Sequence, residues 1–226
     1  MGTIVEARNV GKRYGEGAAA VEALSNANLA VHPGEVLIIQ GPSGSGKTTL
    51  LSILGLILRP TAGELFVDGR DTTCLPESAL PRIRAKTFGF VFQGFNLFDP
   101  LTALENVVLG TRMKNPRTHP QEAEREARNL LEAVGLQRRM HHLPGDMSGG
   151  EKQRVAIARA LGGGPRAILA DEPTAALDSK TALGVIELLQ RLAKEEQRGV
   201  VVVTHDHRLD RYADRVAVVE DGRILS

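Results

Sequence analysis

The stretch Gly41-Pro42-Ser43-Gly44-Ser45-Gly46-Lys47-Thr48, followed by Thr49, has the spacing G-x-x-x-x-G-K-[ST] in full. Each residue type answers a separate chemical need. Glycines let backbone N–H groups turn inward around phosphate oxygens. A helix starting near Lys47 aims the positive end of its dipole at the same anion. Lys47 supplies a point charge to the β- and γ-phosphates, and the Thr48 hydroxyl is a ligand for Mg²⁺. The bland alternative, a glycine-rich turn between a strand and a helix, does not require the Lys-Thr pair. The loop predicts nucleotide binding and by itself leaves the reaction open.

Two further polar groups stand after apolar runs. Ala167-Ile168-Leu169-Ala170 leads into Asp171-Glu172, and Val201-Val202-Val203 into Thr204-His205-Asp206. In a parallel sheet, ligands gather at the carboxyl ends of the strands. Asp171 is therefore expected to reach the Mg²⁺ held by Thr48, directly or through water. Glu172, one residue further, is placed to polarise water for in-line attack on the γ-phosphorus. His205 is expected to donate a hydrogen bond to the γ-phosphate and sense its presence. The other five histidines lack that strand-end position and read as surface or capping residues.

These groups need a scaffold, and the hydrophobic pattern describes one. Val36 to Ile39 is a continuous apolar run, as in a strand buried on both faces. The phosphate loop follows it, and then a helix bearing Leu50, Leu51, Ile53 and Leu54. Ile4–Val10 and Ala27–Val31 are expected to be antiparallel strands separated by the glycine-rich stretch Gly11–Ala20. Gly63–Gly69 reads as a strand ending in a turn. The middle third is helical, with one helix from Pro120 to Val134 closed by Gly135 and another from after Ser148 to about Leu161. The last third alternates a strand at Ala167–Ala170, a helix at Lys180–Glu196 and a strand at Val200–Val203. A short helix at Asp210–Arg215 and a strand at Val216–Val219 complete it. Strand–helix–strand order with apolar strands implies an α/β fold with a parallel sheet covered by helices.

The chain has 226 residues, sufficient for one such domain with a smaller helical lobe. Its 28 basic and 27 acidic residues balance to +1, which argues against nucleic acid as a main partner. Cys74 is the only cysteine, which rules out an intrachain disulfide and a thiolate metal cluster. The first residues lack a signal-peptide pattern, and no apolar run reaches the ~18 residues of a membrane span. Service to a membrane would need another chain.

Ser148-Gly149-Gly150-Glu151 opens a helix and has two readings. It is a capping box, or its glycines clear space for an anion to meet exposed N–H groups. A second anion site is redundant within one chain and useful if it faces the nucleotide of another subunit. Here a resemblance becomes explicit. Met147-Ser148-Gly149-Gly150-Glu151-Lys152-Gln153-Arg154 is similar to the ATP-binding cassette (ABC) signature L-S-G-G-Q, with Met147 and Glu151 departing from it. Tyr14 resembles the aromatic that stacks on adenine. Gln93, after Phe90-Val91-Phe92, resembles the glutamine loop that touches Mg²⁺ and the transport partner. Ala176-Leu177-Asp178 resembles the dimer-contacting D-loop, and His205 the switch histidine.

The resemblance implies a P-loop NTPase with a RecA-like core of ABC type, an antiparallel β subdomain and a helical subdomain. The core and β subdomain would take about residues 1–92 and 162–226, the helical subdomain about 93–161. It implies an ATPase using ATP and Mg²⁺, dimerising head to tail with a second copy of itself. Each ATP would lie between residues 41–48 of one copy and Ser148, Gly149 and Gly150 of the other. It also implies an integral membrane permease, and with it a place on the cytoplasmic face of the plasma membrane. Phe95, Leu97 and Phe98 are candidates for the permease socket, or for closing the helical lobe's core. Phe92–Leu97 and Leu101–Val107 resemble the branch that serves macrolide export, lipoprotein release and heterocyst glycolipid export, often with an extracytoplasmic adaptor protein. Pro173–Lys180 leans toward the glycolipid type, although many of those relatives have Gly at the position of Ala175. A regulator of a cell-wall hydrolase acting through a permease-like partner would share every one of these motifs.

Overall fold

The computed structural model describes residues 2–17 and 20–225. Two sheets and six α-helices make up the described chain. A four-stranded antiparallel sheet contains β1 (Val5–Tyr14), β2 (Val21–Val31), β4 (Ala62–Val67) and β5 (Arg70–Asp71), in the order β2-β1-β4-β5. The second sheet has six strands. These are β3 (Val36–Gln40), β6 (Phe88–Val91), β7 (Ala167–Asp171), β8 (Gly199–Val203), β9 (Arg215–Glu220) and β10 (Arg223–Leu225), in the order β10-β9-β3-β8-β7-β6. All of its pairings are parallel except the terminal β9–β10 hairpin.

Period-2 alternation divides the parallel strands between two cores. Val36, Ile38, Ile168, Ala170, Val200 and Val202 face one side, with the helices α3 (Ala103–Lys114), α4 (Pro120–Ala133), α5 (Gly149–Leu161) and α6 (Ser179–Glu196). Leu37, Ile39, Ala167, Leu169, Val201 and Val203 face the other, with α1 (Lys47–Leu54) and the antiparallel sheet. Both faces being covered explains why these strands read as unbroken apolar runs. α4 shows the complementary pattern, burying only Ala123, Ala127 and Leu131 at a spacing of four.

Several local expectations need correction. Gly11–Tyr14 belongs to β1 and β2 starts at Val21, so the first four residues of the expected glycine-rich loop, and the stretch before Ala27, are paired strand; Ala18 and Ala19 lie outside the described residues. Irregular register between Ala7 and Arg13 lets this ladder absorb its glycine and polar residues. The helix expected at Asp210–Arg215 is a 3₁₀ helix at His207–Tyr212, started by the Asp206 side chain accepting from Arg208 N–H, and Arg215 already lies in β9. The pattern did not anticipate α2 (Leu80–Thr87), β5, β6 or β10, which are short, nor α3, although its Thr102–Glu105 capping box and its buried Ala103, Leu104, Val107 and Thr111 carry the helical signal. No helix among the described residues is long and apolar enough to cross a membrane.

Candidate active site

Strand order brings the polar groups together. Ile39 of β3 and Asp171 of β7 both register with Val203 of β8, so the three strands end side by side. The phosphate loop leaves β3 at that edge, Glu172 follows β7, and Thr204-His205 follows β8. Gln93 stands exposed just beyond β6, the next strand outward.

The loop itself depends on glycine at two positions. Gly41 has φ 148° and Gly46 φ 105°, and a Cβ on either would overlap a backbone carbonyl, of Val219 and Ala23 respectively. Pro42, Ser43 and Gly44 at the loop's tip are exposed, whereas Ser45 is buried with a hydroxyl that has no protein partner. The Lys47 ammonium donates to the carbonyls of Gly41 (2.9 Å) and Pro42 (2.6 Å), so its charge lies over the loop. Thr48 Oγ1 donates to Asp171 Oδ1 at 3.4 Å. Burial raises the Asp171 carboxyl above its ordinary range, opposed by the Thr48 hydroxyl and aided by neighbouring Glu172. A half-buried carboxylate facing an exposed hydroxyl suits a cation that keeps most of its ligands from phosphate and water. No cluster of three His, Cys, Asp or Glu side chains that could hold a metal ion occurs among the described residues.

Glu172 has φ 47°, a left-handed conformation uncommon for a side chain of its size, while its N–H still donates to Val203 C=O at 2.9 Å. The bend aims the carboxylate at His205, whose Nδ1 lies 2.8 Å from Glu172 Oε1. The His205 ring is largely exposed, and no hydrogen bond to Nε2 occurs among the described residues. Tyr14, at the end of β1, is partly exposed, and its hydroxyl lies 3.5 Å from Thr49 Oγ1 on α1. Lys12 Nζ sits 5.3 Å from the same ring, a cation that inspection of the sequence missed because period-2 alternation puts it beside Tyr14 only once Gly11–Tyr14 is a strand.

The tip of α5 is built separately from this cluster. Ser148 is its N-cap and forms a complete capping box with Glu151. Among the described residues no hydrogen bond joins Ser148, Gly149 or Gly150 to residues 41–48. The two glycines have a reason besides anion access. A Cβ on Gly150 would overlap Cγ2 of Thr181, and one on Gly149 would sit 3.3 Å from Leu177 Cδ2, so they seat α5 against the start of α6. Asp178 caps α6, accepting from the N–H groups of Lys180 and Thr181 and from the Thr181 hydroxyl at 2.5 Å. Its carboxylate is thus occupied within its own chain.

Beyond Gln93, Phe95 and Asn96 have φ of 60° and 50°, and Arg159 of α5 holds both carbonyls, that of Phe95 at 2.9 Å. Nothing in the sequence pairs Arg159 with residues more than sixty positions earlier. Leu97 packs into the core, whereas Phe98 is about half exposed. Leu97 therefore answers to the expectation that this loop closes the core, while Phe98 stays at the surface.

A mainly parallel sheet carrying a phosphate loop after β3 and acids after β7, with β8 between the two strands, defines a P-loop nucleotide hydrolase. The chain belongs to the ABC transporter family, whose model matches residues 24–175, and it is an ATP-binding cassette ATPase. The lipoprotein-releasing system ATP-binding protein LolD of Bordetella pertussis is 44% identical over 99% of this chain and 96% of its own. The macrolide export ATP-binding/permease protein MacB 1/2 of Paracoccus denitrificans is 44% identical over 99% of this chain, which spans 33% of that protein. Among solved structures, a dimeric ATP-binding cassette of Methanocaldococcus jannaschii in a post-hydrolysis state with ADP and Pi is 44% identical. It has a TM-score of 0.88 and covers 98% of this chain and 97% of its own. The relatives match the branch to which the motifs pointed, and the fold matches the ABC type expected.

Proposed function

We propose that this ATPase works as a head-to-tail dimer of two copies around two ATP molecules and drives a separate membrane permease of the export branch. One observation carries the reading: the Ser148 tip of α5 is capped and exposed, and it is bonded to nothing in its own phosphate loop. A glycine-led helix tip facing outward is complete as a phosphate site only when another molecule brings the phosphate. The relative solved as a dimer bound to ADP and Pi supports dimerisation of such a cassette around nucleotide hydrolysis. A permease partner is supported by MacB, which by its name joins ATP-binding and permease functions in one chain, and by LolD, named for lipoprotein release. Such a partner would hold the protein at the cytoplasmic face of the membrane.

Within each half-site, Tyr14 stacks on adenine, while residues 41–46, Lys47 and Thr49 hold the phosphates. Thr48, Asp171 and Gln93 would hold Mg²⁺, which when bound supplies charge neutralisation to the β- and γ-phosphates. Glu172 takes the proton of the attacking water through its free carboxylate oxygen as the bond from the γ-phosphorus to the bridging oxygen breaks, releasing ADP and phosphate. His205 Nδ1–H donates to Glu172, so Nε2 can also donate to the γ-phosphate only when the ring carries both protons. Ser148, Gly149 and Gly150 meet the nucleotide from the opposite copy, and Asp178 joins them by giving up bonds of the α6 cap that it makes in the single chain.

The Glu172→Gln variant tests this. It should bind ATP, lose turnover by about a thousandfold or more, and elute as a dimer with ATP and a monomer without. A variant that stays monomeric with ATP at high concentration overturns the sandwich. Unchanged hydrolysis removes Glu172 from the chemistry.

A further inference from the structure

The residue that closes the capping box is a carboxylate, Glu151. Its Oε2 accepts from the Ser148 N–H (2.8 Å) and from the Ser148 hydroxyl (2.9 Å), while Glu151 N–H donates back to Ser148 Oγ at 3.3 Å. Ser148 has one hydroxyl proton, and here it is given to Glu151. Those bonds from Ser148, the backbone one first, hold the Glu151 carboxyl below its ordinary range against the cost of burial. It is therefore ionised at neutral pH. A bare negative charge within one turn of Ser148 would repel an incoming phosphate and compete for that proton.

The remaining carboxylate oxygen, Oε1, is engaged by Arg139 Nε at 2.9 Å. Arg139 is itself well anchored. Its N–H donates to Leu136 C=O and its C=O accepts from His142 N–H, and Nη1 lies 3.1 Å from His142 Nε2. The segment is stitched to the start of α3, where Ala103 N–H donates to His142 C=O and Leu104 N–H to Met140 C=O, each at 2.9 Å. We propose that Arg139 is a positioning residue for the signature turn, neutralising Glu151 so that Ser148 can turn its hydroxyl to the γ-phosphate of the opposite copy. This rests on the sandwich proposed above.

Magnitudes separate this role from a merely structural one. In the single chain the Arg139 side chain is 46% exposed, and an ion pair in that setting contributes little to stability. Enclosed beside a phosphate, the same pair is desolvated and its charge balance matters far more. The effect of Arg139 should therefore appear in the ATP-bound dimer and not in the monomer's stability.

The experiment uses the full chain in the hydrolysis-dead Glu172→Gln background, with ATP-driven dimerisation followed by sedimentation. Arg139→Gln should weaken the dimer about tenfold while shifting the monomer's thermal midpoint by no more than about 2 °C. Adding Glu151→Gln to Arg139→Gln should restore dimerisation to within about twofold of Glu151→Gln alone, because the charge needing compensation is gone. Arg139→Lys, which keeps the charge, should dimerise nearly as the parent does. An equal loss in the Glu151→Gln background, or a loss with Arg139→Lys as large as with Arg139→Gln, overturns the proposal. A parent that fails to dimerise with ATP instead overturns the sandwich on which it rests.

Discussion

Glu172 and His205 are brought together by one backbone torsion. The left-handed φ of 47° at Glu172 ends β7 with a turn that brings its carboxylate to 2.8 Å from the His205 imidazole, across from β8. Tyr14 is simpler at this scale, since stacking needs only an exposed ring beside the phosphate helix. Tyr14→Ala should weaken ATP binding by about 1–2 kcal/mol, whereas Tyr14→Phe should lose a few tenths at most. Calorimetric titration of each variant with ATP separates ring stacking from the hydroxyl's long contact with Thr49. Equal losses in both variants would assign the effect to the hydroxyl.

At the scale of elements, α5 is the hub. Its tip packs on α6 through Gly150, its far end packs on α3, and Arg159 on its flank holds the loop after Gln93. Gly150→Ala forces a methyl into Thr181 Cγ2 and should destabilise the fold by roughly 1–3 kcal/mol in denaturant unfolding. Thr181→Ser removes that methyl and keeps the hydroxyl bonded to Asp178, so it should recover most of the loss. No recovery would mean that the glycine is needed for its backbone rather than for space.

The α3–α5 junction carries a proton linkage. Lys114 Nζ donates to Ala160 C=O at 2.5 Å, and burial, with Arg198 nearby, lowers its pKa to about 7 from an ordinary 10.5. Between those values the unfolded chain binds a proton that the folded chain does not, so stability should rise as pH goes from about 7 to about 10. The slope attributable to this group is at most about 1.4 kcal/mol per pH unit. It is measured as the difference between the parent and Lys114→Met in urea unfolding at several pH values. A Lys114→Met curve parallel to the parent's would place the ammonium in solvent.

For the whole molecule, the consequence of a half-site on each face is concentration dependence. If each ATP needs the Ser148 tip of another copy, turnover per subunit should fall steeply as the protein is diluted below its dimerisation constant. Constant specific activity over a hundredfold dilution would indicate that each chain hydrolyses ATP alone. Attachment of a permease would hold two copies together and remove this dependence.

Local chemistry was legible in the sequence wherever neighbours in the chain are neighbours in space. The phosphate loop, the apolar runs before Asp171 and His205, and the helices at 149–161 and 179–196 declare themselves, because turn glycines, strand periodicity and caps are short-range. Together with the resemblance of the ordered motifs they were enough for the ABC type of fold and for ATP hydrolysis. Tertiary structure decided what depends on distant pairings. Strand order set β8 between the loop and the acids, Thr181 accounted for Gly150, Arg159 found Phe95, and Gly11–Tyr14 became strand because Gly11 pairs with β4 and Lys12–Tyr14 with β2. The reason is physical: a side chain's own neighbours in sequence set its local conformation, whereas the partner that fills its space or takes its hydrogen bond arrives from tens of residues away and leaves no mark on local pattern.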